Sequence, residues 1–273
     1  MEIQMHPNVI HPHHRDSIIN IVNHFKDDPT IDALLLTGSI AHGFAAEISD
    51  VDMLILVNEA EYDRREAEGN ITVVLHDLCP YEGGYLDAKY TSLKFMRQVV
   101  QFGSEPARWA FKDSAALFVR NGVEAELVDL LNRIPVYPLA EQQERIKKFR
   151  TQLQIWNWYV GEGRRKKNAY LTNVAASKLV LFAGRLVLAH NAVLYPYHKW
   201  FLRVLEEVKE KPKGLMKKIE AVNSDPSQEN TNALFELVVN WQDWARPAHR
   251  WGAQFMVDSE LNWLILQTPV DDI

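Results

Sequence analysis

Ala33-Leu34-Leu35-Leu36-Thr37-Gly38-Ser39-Ile40-Ala41-His42-Gly43, followed by Ser49-Asp50-Val51-Asp52-Met53-Leu54-Ile55-Leu56-Val57, is the stretch on which the reading of this chain turns. Ile31 to Thr37 is a compact apolar run that stops at Gly38, the pattern of a buried strand. A short helix can begin at Gly38-Ser39. Free backbone N–H groups at its start, together with the Ser39 hydroxyl, make a place for an anion. Gly38 has no Cβ to hold a phosphate away from the main chain. Beyond Ser39, after a spacer of about ten residues, Asp50 and Asp52 stand at the mouth of a second apolar run, Val51 to Val57. Strand alternation points both carboxylates to one face. Side by side they repel unless a hard cation lies between them, and Mg²⁺ shared between carboxylates and substrate phosphate oxygens suits such a place. An isolated Asp-X-Asp is more often a solvated turn. Here Met53 to Val57 is too apolar for an exposed edge, and Gly38-Ser39 closes another buried run.

Working outward, Ile18, Ile19, Val22 and Phe25 share one face of a helix over Arg15 to Lys26, stopped by Asp27, Asp28 and Pro29. Ile71 to Leu78 and Tyr85 to Thr91 read as two further strands joined by the turn-rich Cys79 to Gly84. A helix from Ser92 to Gln101 and a short strand from Ala116 to Val119, ending at Asn121-Gly122, complete an α/β sheet domain of four or five strands. From residue 123 the periodicity is helical: Val123–Arg133, Ala140–Val160, Asn168–Asn191, Tyr197–Glu210 and most of Gln228–Ala245, punctuated by prolines. The expected division is therefore a sheet domain over residues 1–122 and a helical domain over 123–273. Seven of the eight tryptophans fall from Trp156 onward, where inter-helix packing is their expected task.

The 273 residues are 47% hydrophobic and 24% charged, an ordinary globular composition that excludes a disordered or fibrous chain. The formal charge of −6 disfavours bulk nucleic-acid binding, where phosphate neutralisation calls for a basic excess. Cys79 is the single cysteine, so an intrachain disulfide is impossible and a cysteine zinc site is not expected. No signal peptide is recognised, and the most apolar segment, Asn173 to Ala189, is interrupted by Lys178 and Arg185 before reaching the ~18 apolar residues of a membrane span. The expectation is a soluble cytoplasmic protein with no membrane partner.

Gly38-Ser39, the spacer, and Ser49-Asp50-Val51-Asp52 leading an apolar strand together resemble the signature of the DNA-polymerase-β-type nucleotidyltransferase superfamily. The resemblance implies an N-terminal mixed-sheet domain followed by an all-helical C-terminal domain. It also implies Gly38, Ser39 and Ser49 at the nucleotide, and one or two Mg²⁺ ions on Asp50 and Asp52. His42 departs from the pattern, since many relatives carry Arg there. Such enzymes usually add a third carboxylate from a neighbouring strand. Asp87 is the candidate, as a mid-strand acid flanked by Leu86 and Ala88 pointing the other way, with the role of a base toward the attacking hydroxyl or of a further metal ligand. Asp77 is its rival, nearer the turn.

In the helical half, Lys178 and Arg185 are seven apart on one face of an otherwise apolar helix, and Lys199 follows the next turn. A buried cation needs a partner, and a triphosphate is one. The layout is similar to adenylyltransferases that inactivate aminoglycosides of the streptomycin and spectinomycin type. There an Arg on one helix and a Lys about a dozen residues on help hold the triphosphate, which Arg185 and Lys199 match approximately; Lys178 matches less well. The other reading pairs Arg185 with a buried carboxylate and leaves Lys199 in solvent. The N-terminal His6, His11, His13 and His14 read as a surface arm rather than a metal site, and Arg164 to Lys167 as a solvated interhelical turn.

The functional expectation is Mg²⁺-dependent transfer of a nucleoside monophosphate, AMP from ATP or another nucleoside triphosphate, to a hydroxyl of a small polar acceptor such as an aminoglycoside-like antibiotic, in a cleft between the two domains. The alternatives are nucleotidylation of a protein or tRNA end, and a non-catalytic nucleotide-binding or antitoxin-type partner protein. Oligomeric state is left open.

Overall fold

The structure, a computed structural model, describes residues 5–120, 122–248, 250–266, 270 and 273. Asn121, read above as part of a turn, lies outside the described residues. The chain divides into two compact units, Met1–Gly103 with Ala107–Val136, and Ser104–Pro106 with Tyr137–Ile273.

The first unit runs α1 (Pro12–Phe25), β1 (Ile31–Leu36), α2 (Gly38–Ala41), β2 (Val51–Val57), α3 (Glu59–Ala67), β3 (Thr72–Leu75), β4 (Leu86–Thr91), α4 (Leu93–Phe102), the end of α5 (Glu105–Trp109), β5 (Ala115–Val119) and α6 (Glu124–Arg133). The five strands form one mixed sheet in the order β3-β4-β2-β1-β5. Only β2 and β4 are parallel; the other pairs are antiparallel. Alternation along β1 explains why both faces are covered. Leu34 and Leu36 pack with Ile18, Ile21 and Val22 of α1, while Ala33 and Leu35 pack with Met96 and Val99 of α4 and Leu127 and Leu130 of α6. That burial is also why α6 belongs to this unit. Its period is helical, yet its apolar face covers the sheet, and the unit continues to Val136 rather than stopping at 122.

Helix α1 begins three residues before the sequence expectation, because Pro12 sits in the first turn, where its missing N–H leaves no bond unmade. His13 and His14 are thereby helical residues rather than part of a loose arm. Helix α3 was not expected: it buries no residue, and it is held by the Asn58 side chain accepting from the Glu61 N–H and by Arg64 and Arg65 on Glu61.

The second unit holds α7 (Gln142–Arg165), α8 (Ala169–His190), α9 (Phe201–Glu207), α10 (Leu215–Ser224), α11 (Gln228–Val239) and α12 (Trp251–Phe255). Helices α7 and α8 pack along their length. Phe149, Leu153 and Val160 of the first are buried, as are Leu179, Phe182, Leu186 and Val187 of the second, and the Phe149 and Phe182 rings lie 6.1 Å apart. By length and composition α8 could cross a membrane, but 72% of its apolar window is buried inside the protein, the mark of a core helix. Gly184 lets α9 approach it: an added Cβ would lie 2.2 Å from the Phe201 ring.

Candidate active site

Asp52 and Asp87 face each other across the parallel β2–β4 pair, and Asp50 stands one residue ahead of β2. Each offers a carboxylate oxygen, and the three oxygens lie within 4.8 Å of one another. All three residues are half-buried. Leu86 and Ala88 on either side of Asp87 point into the α1-side core, so the acid is forced onto the opposite face, the one that carries Asp52. The negative field is felt nearby. The Tyr85 phenol is pushed above its ordinary pKa, first by its hydrogen bond to Asp50, then by the charge of Asp50 and, more weakly, of Asp87 and Asp52.

The bend after β1 is built around the same acids. Thr37 N–H donates to the Asp52 carbonyl at 3.0 Å. Gly38 has φ +64, and a Cβ there would lie 1.9 Å from Asp52 Oδ2, so the bend tolerates only glycine. Ser39 is 5% exposed, and its Oγ has no hydrogen-bond partner among the described residues. Three carboxylate oxygens form a hard, all-oxygen donor set suited to Mg²⁺. The Ser39 hydroxyl, buried without a partner among the described residues, suits a phosphate oxygen. On these grounds the residues present fit a metal–nucleotide pair.

Residues 18–101 match the family model described as nucleotidyltransferase domain. These residues are a nucleotidyltransferase domain of the polymerase-β-like kind, followed by a helical region. No curated protein matches the chain in sequence. Among solved structures it is similar to a nucleotidyltransferase-like protein from Exiguobacterium sibiricum, 10% identical, over 91% of this chain and 78% of that one, with a TM-score of 0.45.

Within the nucleotidyltransferase domain, Ser49 serves the approach to the acids. Its Oγ accepts from the Ala46 N–H at 2.9 Å, and its carbonyl accepts from Tyr81 Oη at 2.6 Å and His14 Nε2 at 3.1 Å. His42, in the position where Arg is common, turns inward. It is 8% exposed, stacks on Trp109 with ring centres 3.8 Å apart, and its Nδ1 bonds Asp113 Oδ2 at 3.2 Å. That bond holds the Asp113 carboxyl below the usual carboxylate range. Asp77 lies exposed in the turn after β3 and is not among the clustered acids.

The second unit holds the cations. Arg185 is fully buried on α8, bonded through Nη2 to Glu105 Oε1 at 3.0 Å and to the Ile273 carbonyl oxygen. The Phe149 and Tyr195 rings lie 4.3 and 4.4 Å from its guanidinium carbon. Glu105 also takes Arg145 Nη1 at 2.8 Å and the Tyr195 N–H at 2.7 Å. Lys199 is exposed, its Nζ 5.2 Å from the Trp200 ring, and half-buried Lys178 lines a shallow pocket with His198 and Phe201. Arg165 and Lys166 pair with Glu162 at the end of α7, and Arg164 donates to the Pro226 carbonyl, as a solvated helix terminus does.

Sequence reading missed Tyr85, His14, Tyr81 and Glu105. No local pattern marks Tyr81 or Glu105 for such a place, and His14 reads only as part of a surface arm. Tyr85 alone carried a signal, as the residue leading the strand that holds Asp87.

Proposed function

We propose that the protein is a Mg²⁺-dependent nucleotidyltransferase that moves a nucleoside monophosphate, AMP from ATP as first choice, to a hydroxyl of a small polar acceptor. The observation that carries this is the convergence of Asp50, Asp52 and Asp87 within 4.8 Å beside the Gly38–Ser39 bend. Asp50 and Asp52 would hold the ion, and Asp87 would complete the ligand set or take the acceptor proton. When bound, a divalent ion supplies charge neutralisation for the triphosphate. Gly38 makes room for the Asp52 carboxylate against the bend, and Ser39 Oγ donates to a phosphate oxygen. The acceptor oxygen forms a bond to the α-phosphorus while the bond to the bridging oxygen breaks. Pyrophosphate leaves with that electron pair, and the acceptor proton passes to the Asp87 carboxylate. Catalysis of this kind is mostly positioning and charge neutralisation, which acids and a helix bend supply.

Lys199 and Lys178 stay candidates for the triphosphate on the resemblance alone. Arg185, enclosed with Glu105, is left out. The charge of −6 favours a polycationic acceptor, with an aminoglycoside-like antibiotic as first choice. The test is pyrophosphate release from ATP, with and without Mg²⁺, against a panel of aminoglycosides, tRNA and proteins. Release requires Mg²⁺ and one acceptor class. Asp50→Asn and Asp52→Asn each lower it at least a hundredfold with folding intact by circular dichroism; retained turnover in both ends the metal assignment.

A further inference from the structure

We infer that His14 and Tyr81 are positioning residues that aim Asp50, acting through the carbonyl oxygen of Ser49. The inference rests on the reading of Asp50, Asp52 and Asp87 as ligands of a divalent ion.

The three acids are not held alike. Asp52 lies inside β2, paired with Asp87 inside β4, so the ladder sets both backbones. Its side chain is further confined by the close approach of Gly38. Asp50 precedes the strand, and the first bond of that stretch to its neighbour is Val51 N–H to the Tyr85 carbonyl at 2.9 Å. The Tyr85 phenol bonds the Asp50 carboxylate, but the backbone that carries it lies outside the ladder and needs its own restraint, because one peptide rotation would swing the carboxylate out of the cluster.

The peptide joining Ser49 to Asp50 has that restraint. Its carbonyl oxygen has two lone pairs, and both are taken: Tyr81 Oη donates at 2.6 Å and His14 Nε2 at 3.1 Å. A carbonyl only accepts, so the His14 proton sits on Nε2. His14 is 1% exposed, and the Tyr81 ring packs 5.4 Å from it and 4.5 Å from His13. His13 Nε2 in turn bonds the Glu47 carbonyl at 2.7 Å, two residues upstream of Ser49. The first turn of α1 and the turn before β4 thus grip the segment leading to Asp50 from two sides. Binding more than one donor to a single peptide oxygen fixes that peptide plane and, with it, the direction in which the Asp50 side chain leaves the backbone.

The probe is Mn²⁺ alone, its free concentration read by electron paramagnetic resonance, with thermal unfolding measured on the same samples. Tyr81→Phe keeps the ring and removes one donor; His14→Phe removes the other; His14→Gln restores an N–H at similar reach. Each donor loss is expected to weaken Mn²⁺ binding about threefold to tenfold, the range of one hydrogen bond. His14→Gln should recover most of the loss. A purely structural role would lower the melting temperature and leave the affinity of the folded protein unchanged, so wild-type Mn²⁺ affinity in folded Tyr81→Phe overturns the proposal. Wild-type protein that takes up no Mn²⁺ refutes the metal reading itself and the aiming role with it, an outcome distinct from unchanged variants.

Discussion

Gly38 shows how one residue type is imposed by two demands at once. Its φ of +64 lies where side chains are strained, and its missing Cβ is the space Asp52 occupies. Gly38→Ala is therefore expected to displace Asp52, to lower turnover at least a hundredfold, and to destabilise the protein by about 1–3 kcal/mol, as measured by urea denaturation beside the pyrophosphate assay. Ser39, adjacent, is orphaned in a buried position, which native proteins tolerate where a ligand completes the bonding. Sequence reading reached both residues, together with Asp50, Asp52 and Asp87, because glycine at a strand end and acids at alternate strand positions leave a local trace. His14 and Tyr81 leave none: an imidazole on a helix and a phenol in a turn acquire a task only when the chain brings Ser49 between them.

At the scale of elements, the buried cation of α8 is the instructive case. Arg185 and Arg145 share one carboxylate, Glu105, which is itself 1% exposed. Bringing three charges out of water is tolerated because each Glu105 oxygen has a donor and the Arg185 guanidinium lies against two aromatic rings. Glu105→Ala leaves Arg185 without its carboxylate, and a loss of roughly 3–5 kcal/mol in denaturation midpoint experiments is the expected result. The apolar period of α8 announced that a cation there needed a partner. The partner's identity, 80 residues earlier in the chain, was beyond any local pattern. Element ends diverged for a similar reason: α6 reads as one more helix of the helical half until Leu127 and Leu130 are seen against the sheet.

For the molecule as a whole, pH dependence follows from groups kept neutral by burial. His14 is pushed below its ordinary value of 6.5 mainly by burial, then by His13 and His11, and His6 is lowered mainly by burial. Above pH 6.5 both are neutral in the folded and unfolded chain alike. As pH falls below 6.5 the unfolded chain takes up protons that the folded one resists, so stability declines from there down to the depressed folded values. Melting temperature should therefore fall as the pH drops below about 6.5, and His14→Gln should flatten that slope; an unchanged slope contradicts the burial of His14 as its cause.

By itself the sequence determined the strands, the glycine–serine bend and the candidate acids, because turn chemistry and two-residue alternation act between neighbours. Only the tertiary structure decided that Asp87 rather than Asp77 joins Asp50 and Asp52, that Glu105 encloses Arg185, and that α1 reaches Ser49. Those are matters of strand register and of contacts between distant segments, and they exist only once the whole chain has packed.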